Sequence, residues 1–314
     1  MKILPPWILP AALISSLSFT SLVQANPINV LWYTYADPAS EYRQKFSQLA
    51  SIVHTLPQSD GSSWNLTYWD AKSAAPNFSA YNVLVIESGE AFRTGAPNGP
   101  LATPNYSGIL DNKAAIEAAR GDRTFITAAD SDFHTIRGDT GNIPDNPNAP
   151  DGGGKCAPAL TSSDCWDGAL GHSVNAINWA GGGHGLGIVS FLDGENPGSF
   201  WWTSANSFLR HELNGHVEYA GSEQNPVINP LQASYSLNAG LTSQGLSDWD
   251  NSFHAFFSPV DGYTQIVDSS QRPGFAVAIA TSIPEPETYA MILAGLGLMG
   301  TVLRRRKTLL LRGI

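Results

Sequence analysis

Apolar and polar positions along the chain predict strands and helices in alternation. Continuous apolar runs, with one partly alternating run, predict strands at 29–35, 64–70, 81–89, 123–130 and 186–193. Apolar residues near a 3.6-residue period predict helices at 39–56 and 107–119, and the helical pattern resumes at 168–180. A short helix is predicted at 204–215, capped by Ser204 or Asn206. Strands and helices in this order are typical of a mostly parallel sheet with crossover helices. The sequence therefore predicts an α/β body.

Two other parts of the body lack this alternation of strands and helices. Residues 138–167 are rich in Gly, Pro, Asp and Asn, which predicts a surface insertion. From the end of the last predicted helix to residue 281 the pattern predicts an irregular, β-rich part of short strands and loops. The body thus extends over residues 26–281.

The first 25 residues have the pattern of a secretory signal peptide. Lys2 provides a positive start, Ile3 to Val23 is apolar apart from small hydroxyl residues, and Ala25 precedes the expected cleavage by signal peptidase. A retained membrane anchor is the alternative, but the early prolines disfavour a long helix.

The last part of the chain, 282–314, combines three features in order. They are Pro284-Glu285-Pro286, an apolar run of 15 residues at 289–303, and a basic cluster of Arg304, Arg305, Arg306 and Lys307. The run is slightly shorter than the roughly 20 residues of a usual membrane-spanning helix. The basic cluster would stay cytoplasmic while the body is exported. The pattern predicts a C-terminal transmembrane helix.

These three features resemble the PEP-CTERM sorting signal of Gram-negative bacteria. The resemblance implies export across the inner membrane, a transient C-terminal anchor, and cleavage near the Pro-Glu-Pro by an exosortase, a membrane protease-transpeptidase. It also implies a place in the cell envelope or the extracellular matrix, where exopolysaccharide is a candidate partner. An ordinary tail anchor is the alternative.

The charge of the chain without its ends is strongly negative. Residues 26–303 contain 11 Lys and Arg against 27 Asp and Glu, a net charge of −16. Such a body repels phosphate backbones, so nucleic-acid binding is excluded as a function class. The charge suits a soluble protein or one that gathers cations.

The two cysteines lie close together in the predicted insertion. Cys156 and Cys165 are separated by a short Pro- and Ser-containing stretch. In an oxidising compartment this spacing predicts a local disulfide. A reactive thiol and a metal site are the alternatives.

The body resembles the class I glutamine amidotransferase-like fold in the strand YNVLVIESG (81–89) and the later stretch NAGLTSQGLSDWDNSFHAFF (238–257). The resemblance implies a flavodoxin-like three-layer sandwich. It also implies a nucleophile in the turn AADSD (128–132), where this sequence has Asp130, Ser131 and Asp132 but no cysteine. A late histidine often completes such a site, which makes His254 a candidate partner for Asp130 or Ser131. His254 is equally compatible with the edge of a core.

Acidic residues follow the predicted parallel strands, where ligands bind in open α/β sheets. The strand ends carry Asp37, Asp70, Glu87, Asp130, Asp132, His134 and Asp193. Oxygen ligands from Glu87, Asp130 and Asp132 would suit Ca²⁺, and a carboxylate pair would suit acid–base chemistry. The alternative is that these residues cap turns and helices.

Three short motifs suggest chemistry but depart from the patterns that it requires. HELNGH (211–216) places its second histidine five residues after the first, about 140° away on a helix, which does not suit a zincin. GHSVN (171–175) lacks the last glycine of a nucleophile elbow, and GGGHGLG (181–187) precedes a strand rather than a helix. The second motif is better explained as a turn.

The leading hypothesis is an exported, exosortase-processed protein whose body is a non-catalytic binding or structural component. An extracellular hydrolase using Asp130, Ser131, His134 or His254 is the first alternative. Glycan or ice binding is the second, since the chain has nine tryptophans.

Overall fold

The computed structural model describes residues 27–33, 64–88, 105–129, 131, 167–192, 201–219, 221, 223, 225–247, 253–282 and 299. The helices are α1 (Ser107–Asp111), α2 (Lys113–Ala119), α3 (Asp167–Gly181), α4 (Arg210–Leu213) and α5 (Ser243–Ser247). The first five strands are β1 (Ile28–Tyr33), β2 (Trp64–Trp69), β3 (Val83–Ile86), β4 (Arg120–Thr127) and β5 (Leu186–Phe191). The others are β6 (Val217–Glu218), β7 (Val227–Ile228), β8 (Phe256–Phe257), β9 (Tyr263–Asp268) and β10 (Ala276–Thr281).

Strands β1 to β5 form the parallel part of one sheet, in the order β2-β1-β3-β5-β4. Val83 to Ile86 in β3 are completely buried, as is every residue of β5, because helices cover both faces of this part of the sheet. All five strands begin at one edge of the sheet, here called the amino edge, and end at the opposite one, the carboxyl edge.

The later strands extend the sheet in the opposite direction. Strand β10 pairs antiparallel with β4, with Ala278 opposite Thr127, and continues the sheet to β8 and β6. Strand β9 pairs with β10 and β7. Since β10 runs against β4, the end of β10 at Thr281 lies at the amino edge.

Two hydrophobic cores lie on the two faces of the sheet. One contains Val30, Val85 and Val189 from the sheet together with Ala176 and Ile177 of α3. The other contains Leu31, Leu84 and Ile188 together with Ile109 and Ile116 of α1 and α2. The sheet is therefore the middle layer between helices, and the alternation of side chains along each strand divides the core in two.

The structure confirms the five predicted strands and the helix at 168–180, with small differences at their ends. The predicted helix at 107–119 is interrupted at Asn112, whose side chain donates to the carbonyl oxygen of Gly108 at 2.8 Å. Asparagine side chains compete in this way for backbone groups, which explains the interruption.

The predicted helix at 204–215 is mostly wrong. Only Arg210–Leu213 is α-helical. The hydroxyl groups of Ser204 and Ser207 instead accept hydrogen bonds from backbone N–H groups two residues later, at 3.3 and 3.1 Å. These local turns replace the first turns of the helix that a cap at Ser204 or Asn206 predicted.

The flavodoxin-like assignment is not confirmed. The flavodoxin strand order is 2-1-3-4-5, whereas here β5 lies between β3 and β4. What the structure supports is a mixed α/β body with a largely parallel sheet. The predicted helix at 39–56, the signal peptide and the insertion at 138–167, apart from Asp167, lie outside the described residues. The predicted helix at 289–303 also lies outside them, except for Met299, which is helical.

Candidate functional site

The carboxyl edge of the parallel strands is the candidate site. Of the residues predicted there, Asp70, Glu87, Ser131 and His254 are described. The remaining ones lie outside the described residues: Asp37, Asp130, Asp132, His134 and Asp193.

Asp70 caps the turn that follows β2. Its Oδ1 accepts hydrogen bonds from the backbone N–H groups of Lys72 and Ser73 at 3.0 and 2.8 Å, and from the Ser73 hydroxyl at 2.7 Å. At this position the capping alternative explains the carboxylate.

Glu87 follows β3 and is completely buried. Its Oε1 accepts a hydrogen bond of 2.5 Å from the indole nitrogen of Trp32, on the neighbouring strand β1. Its backbone carbonyl accepts from the hydroxyl of Tyr106 at 3.2 Å. The sequence did not single out Trp32, because a tryptophan in an apolar run predicts only core packing.

Ser131 lies against helix α3. Its side chain is buried, and its Oγ is 3.0 Å from the Oγ of Ser173, which is also 2.9 Å from the carbonyl oxygen of Ala169. Ser173 is therefore in the middle of helix α3, and its hydroxyl donates a hydrogen bond to a carbonyl oxygen of the preceding helical turn. The motif GHSVN is therefore not a strand-to-helix elbow, as its missing glycine indicated.

His172 contributes a buried imidazole that the sequence analysis missed. Its Nε2 lies 3.1 Å from the hydroxyl of Thr127 at the end of β4, and its ring contacts Phe125 edge to face. Burial lowers the pKa of His172 to about 3, so the ring is neutral at pH 7. Ala169, His172 and Ala176 share one helical face, and this spacing is the signal that could have placed the ring in the core.

Acid should destabilise the protein partly through His172. Its pKa is lowered from 6.5 to about 3 on folding, so between those pH values the unfolded chain binds a proton that the folded chain does not. The free energy of unfolding should therefore fall as the pH drops through that window. Its slope can reach at most about 1.4 kcal/mol per pH unit for one group.

Urea unfolding of His172→Gln at pH 7 and pH 4.5 tests this prediction. The variant should lose less stability than the unaltered protein between the two pH values. Equal pH dependence in the two proteins would contradict the assignment.

His254 lies beside the turn that follows β4. Its backbone N–H donates to the carbonyl oxygen of Ala128 at 3.1 Å, and the preceding Phe253 forms an isolated antiparallel bridge with Ala129. The structure therefore brings the two predicted segments together through their backbones. A chemical role for the imidazole stays a prediction.

Glu223 is a buried carboxylate that the sequence analysis missed. It accepts hydrogen bonds from the hydroxyls of Ser269 and Ser270 and from the backbone N–H groups of Gln271 and Asn225, at 2.6 to 3.0 Å. Burial alone would raise the pKa of Glu223, but these four donors hold it below its usual value. The carboxylate therefore ties together two loops of the β-rich part.

The residues of HELNGH have three separate environments. His211 is exposed, and Glu212 makes an ion pair with Arg120, whose Nη1 is 2.5 Å from Oε1. His216 lies 3.1 Å from the hydroxyl of Ser258. Within the described part of the chain, no group of three or more His, Cys, Asp or Glu is arranged to hold a metal ion.

The segment GGGHGLG forms the turn between α3 and β5. Asp122 Oδ1 accepts from the backbone N–H of His184 at 2.9 Å, and Gly185 has a φ of 73°. Gly121 packs against the carbonyl oxygen of His184, where an added Cβ would come within 1.6 Å. Within the motif, Gly185 has a positive φ and an added Cβ at Gly187 would lie 2.3 Å from the carbonyl oxygen of Ala180. These two glycines therefore fit a turn, as the position of the motif before a strand indicated.

The comparison with protein families decides how the C-terminal end is interpreted. Residues 282–307 match the PEP-CTERM protein-sorting motif. The motif indicates an exported protein that an exosortase processes, located in the envelope or outside the cell. No curated protein and no solved structure matches the chain. Among the residues that the structure describes, no helix is long and apolar enough to cross a membrane.

The PEP-CTERM motif begins directly after β10. Its first residue, Ser282, directly follows β10, and its backbone N–H donates to the carbonyl oxygen of Gly262 at 2.8 Å. The resemblance to amidotransferases has no support from these comparisons. The predicted disulfide between Cys156 and Cys165 lies outside the described residues and stays a prediction.

Proposed function

We propose that the body is a non-catalytic binding or structural component of the envelope or extracellular matrix, released from its tail by an exosortase. The observation that carries the proposal is the burial of Ser131, whose side chain has no exposed surface and whose Oγ lies 3.0 Å from that of Ser173 on α3. A serine nucleophile has to meet its substrate directly, and this serine is enclosed by the protein.

His172 on α3 is unsuited to base catalysis. His172 precedes Ser173, contacts Thr127, and has a pKa of about 3. An efficient general base has a pKa close to the working pH.

Enzyme assays on the mature protein test the proposal. We expect no turnover of glutamine, peptide, ester or glycoside substrates above a buffer control. Cosedimentation with exopolysaccharide from the native host should retain the protein in the polymer fraction. Turnover that disappears in Ser131→Ala or His254→Ala would overturn the proposal and favour the hydrolase alternative.

Processing should remove both ends of the chain. The sorting motif and the predicted signal peptide lead us to expect a mature protein that starts near Asn26 and ends near Pro286. Intact-mass measurement on protein from the native host checks both ends. A mass that still includes Arg304 to Arg306 would contradict the expected cleavage.

Calcium binding at the carboxyl edge is a further prediction. Glu87, Asp130 and Asp132 were predicted as ligands, and Glu87 is the described member of this set. If the three carboxylates converge, Ca²⁺ would relieve their repulsion and raise the melting temperature by mass action. Melting curves with Ca²⁺, Mg²⁺ or chelator should then differ, and Asp130→Ala should remove the difference. Identical curves would contradict the prediction.

A further inference from the structure

The body holds its last residues rigidly at the amino edge of the sheet. Ser282 donates its N–H to Gly262, and its hydroxyl lies 2.8 Å from that of Thr264. The hydroxyl of Thr281 donates to the carbonyl oxygen of Asp122 at 2.9 Å and accepts from the N–H of Thr124 at 3.1 Å. Four hydrogen bonds therefore fix the two residues that precede the cleavage region.

A half-buried network of Arg120, Glu212 and Tyr263 lies at the same edge. Thr281 pairs with Tyr263, whose hydroxyl contacts both Glu212 and Arg120. Detaching the end of β10 would thus disturb the side chains that join α4 to the sheet. Fraying of this strand end is unfavourable for that reason.

The Pro-Glu-Pro lies immediately beside this rigid end. Only Ile283 separates Ser282 from Pro284, so the two Cα atoms can be at most about 7 Å apart. A protease that holds even a few residues on either side of the cut must reach the folded edge itself. One residue, Ile283, lies between Ser282, directly after β10, and the Pro-Glu-Pro.

The predicted N-terminal cleavage lies at the same edge. Strand β1 begins at Ile28, and it is parallel to β3 and, through β5, to β4. The start of β1 is therefore at the amino edge, as is the end of β10. Both predicted cleavage positions therefore lie next to the amino edge, on the side of the sheet opposite to the candidate site.

We propose that the amino edge around Ser282 is the surface on which the membrane-embedded processing enzyme docks when it cuts the tail. The exposed groups of this surface are His184, with a side chain 99% accessible, Asp122, with 44%, and the turn Asp261-Gly262. The carboxyl edge then faces away from the membrane and is free to meet matrix components before release. The proposal rests on exosortase processing but not on the function of the body.

Photo-cross-linking in the native host tests the docking surface. A photoreactive phenylalanine analogue replaces His184 at the amino edge, or Ala74, which is exposed in the turn after β2 at the carboxyl edge, as the matched control. We expect adducts with the exosortase, identified by mass spectrometry, from position 184 at several times the yield from position 74. Equal yields, or adducts only with lipid, would overturn the proposal.

A linker variant provides the second measurement. A Gly/Ser linker of about eight residues between Ile283 and Pro284 has a root-mean-square length of about 16 Å and separates the body from the enzyme. Adducts from position 184 should then fall to the level of position 74 while cleavage continues. An unchanged yield from position 184 would contradict docking.

Intact-mass measurement on the same cells separates the two claims. A cut chain without adducts at position 184 contradicts the docking surface alone. A chain that keeps its tail contradicts processing and the docking surface together.

Discussion

Replacing Gly121 with alanine should lower the free energy of unfolding by about 3 kcal/mol, in the upper range for overpacked positions. An added Cβ would lie 1.6 Å from the carbonyl oxygen of His184 and 2.7 Å from its carbonyl carbon. Both are backbone atoms of the turn between α3 and β5, so relief requires that the turn move away from β4. Urea unfolding of the mature protein measures the loss.

Gly245→Ala is the matched control. Its added Cβ would have one near neighbour, the hydroxyl oxygen of Thr242 at 3.2 Å, and it lies in the short helix α5. We expect a change within about 1 kcal/mol, because alanine favours a helix more than glycine does. If Gly121→Ala unfolded at the same urea concentration as this control, the close contact between the backbones of Gly121 and His184 would be contradicted.

Replacing Glu212 with alanine should cost about 2 to 3 kcal/mol, somewhat less than the loss of one partner from a fully buried ion pair. Both carboxylate oxygens contact Arg120, at 2.5 and 2.9 Å, and the two side chains are only 23% and 16% exposed. In this variant the guanidinium of Arg120 loses both bonds to the carboxylate and keeps its hydrogen bonds to Thr124 and Tyr263. Thermal and urea unfolding check the loss.

The surface pair of Lys113 and Glu117 is the control for this variant. Their charged atoms are 3.8 Å apart, four residues apart on α2, with side chains 37% and 46% exposed. Glu117→Ala should change stability by no more than about 0.5 kcal/mol. Equal losses in the two variants would show that Glu212 is no more important than a solvated charge, and would reopen a functional role for HELNGH.

The local pattern was sufficient for many elements of the fold. Strand β3 and helix α3 follow from short-range order, since a continuous apolar run and a helical period depend only on neighbouring residues. The predicted helix at 204–215 was wrong for a local reason too, because serine hydroxyls compete for the backbone. The sorting motif is likewise contained in one continuous stretch, 282–307.

The candidate site depended on contacts between residues that are distant in the sequence. Glu87 and Trp32 are 55 residues apart, Thr127 and His172 are 45 apart, and the pair of Arg120 with Glu212 spans 92. No local pattern specifies such partners. Glu87 was predicted as a ligand and Glu212 was weighed as part of a metal motif, and the structure gives each of them a hydrogen-bond donor on another element.

The sequence alone therefore determined that the chain alternates buried strands with helices and ends in a sorting motif, because these properties are local. Only the tertiary structure decided that β5 lies between β3 and β4 and that β10 returns antiparallel beside β4. Strand order depends on which strands pair their backbone N–H and C=O groups and on which apolar faces the helices cover. Both involve residues from the whole chain. The antiparallel return of β10 is the physical reason that the processing motif leaves the body at the edge opposite to the candidate site.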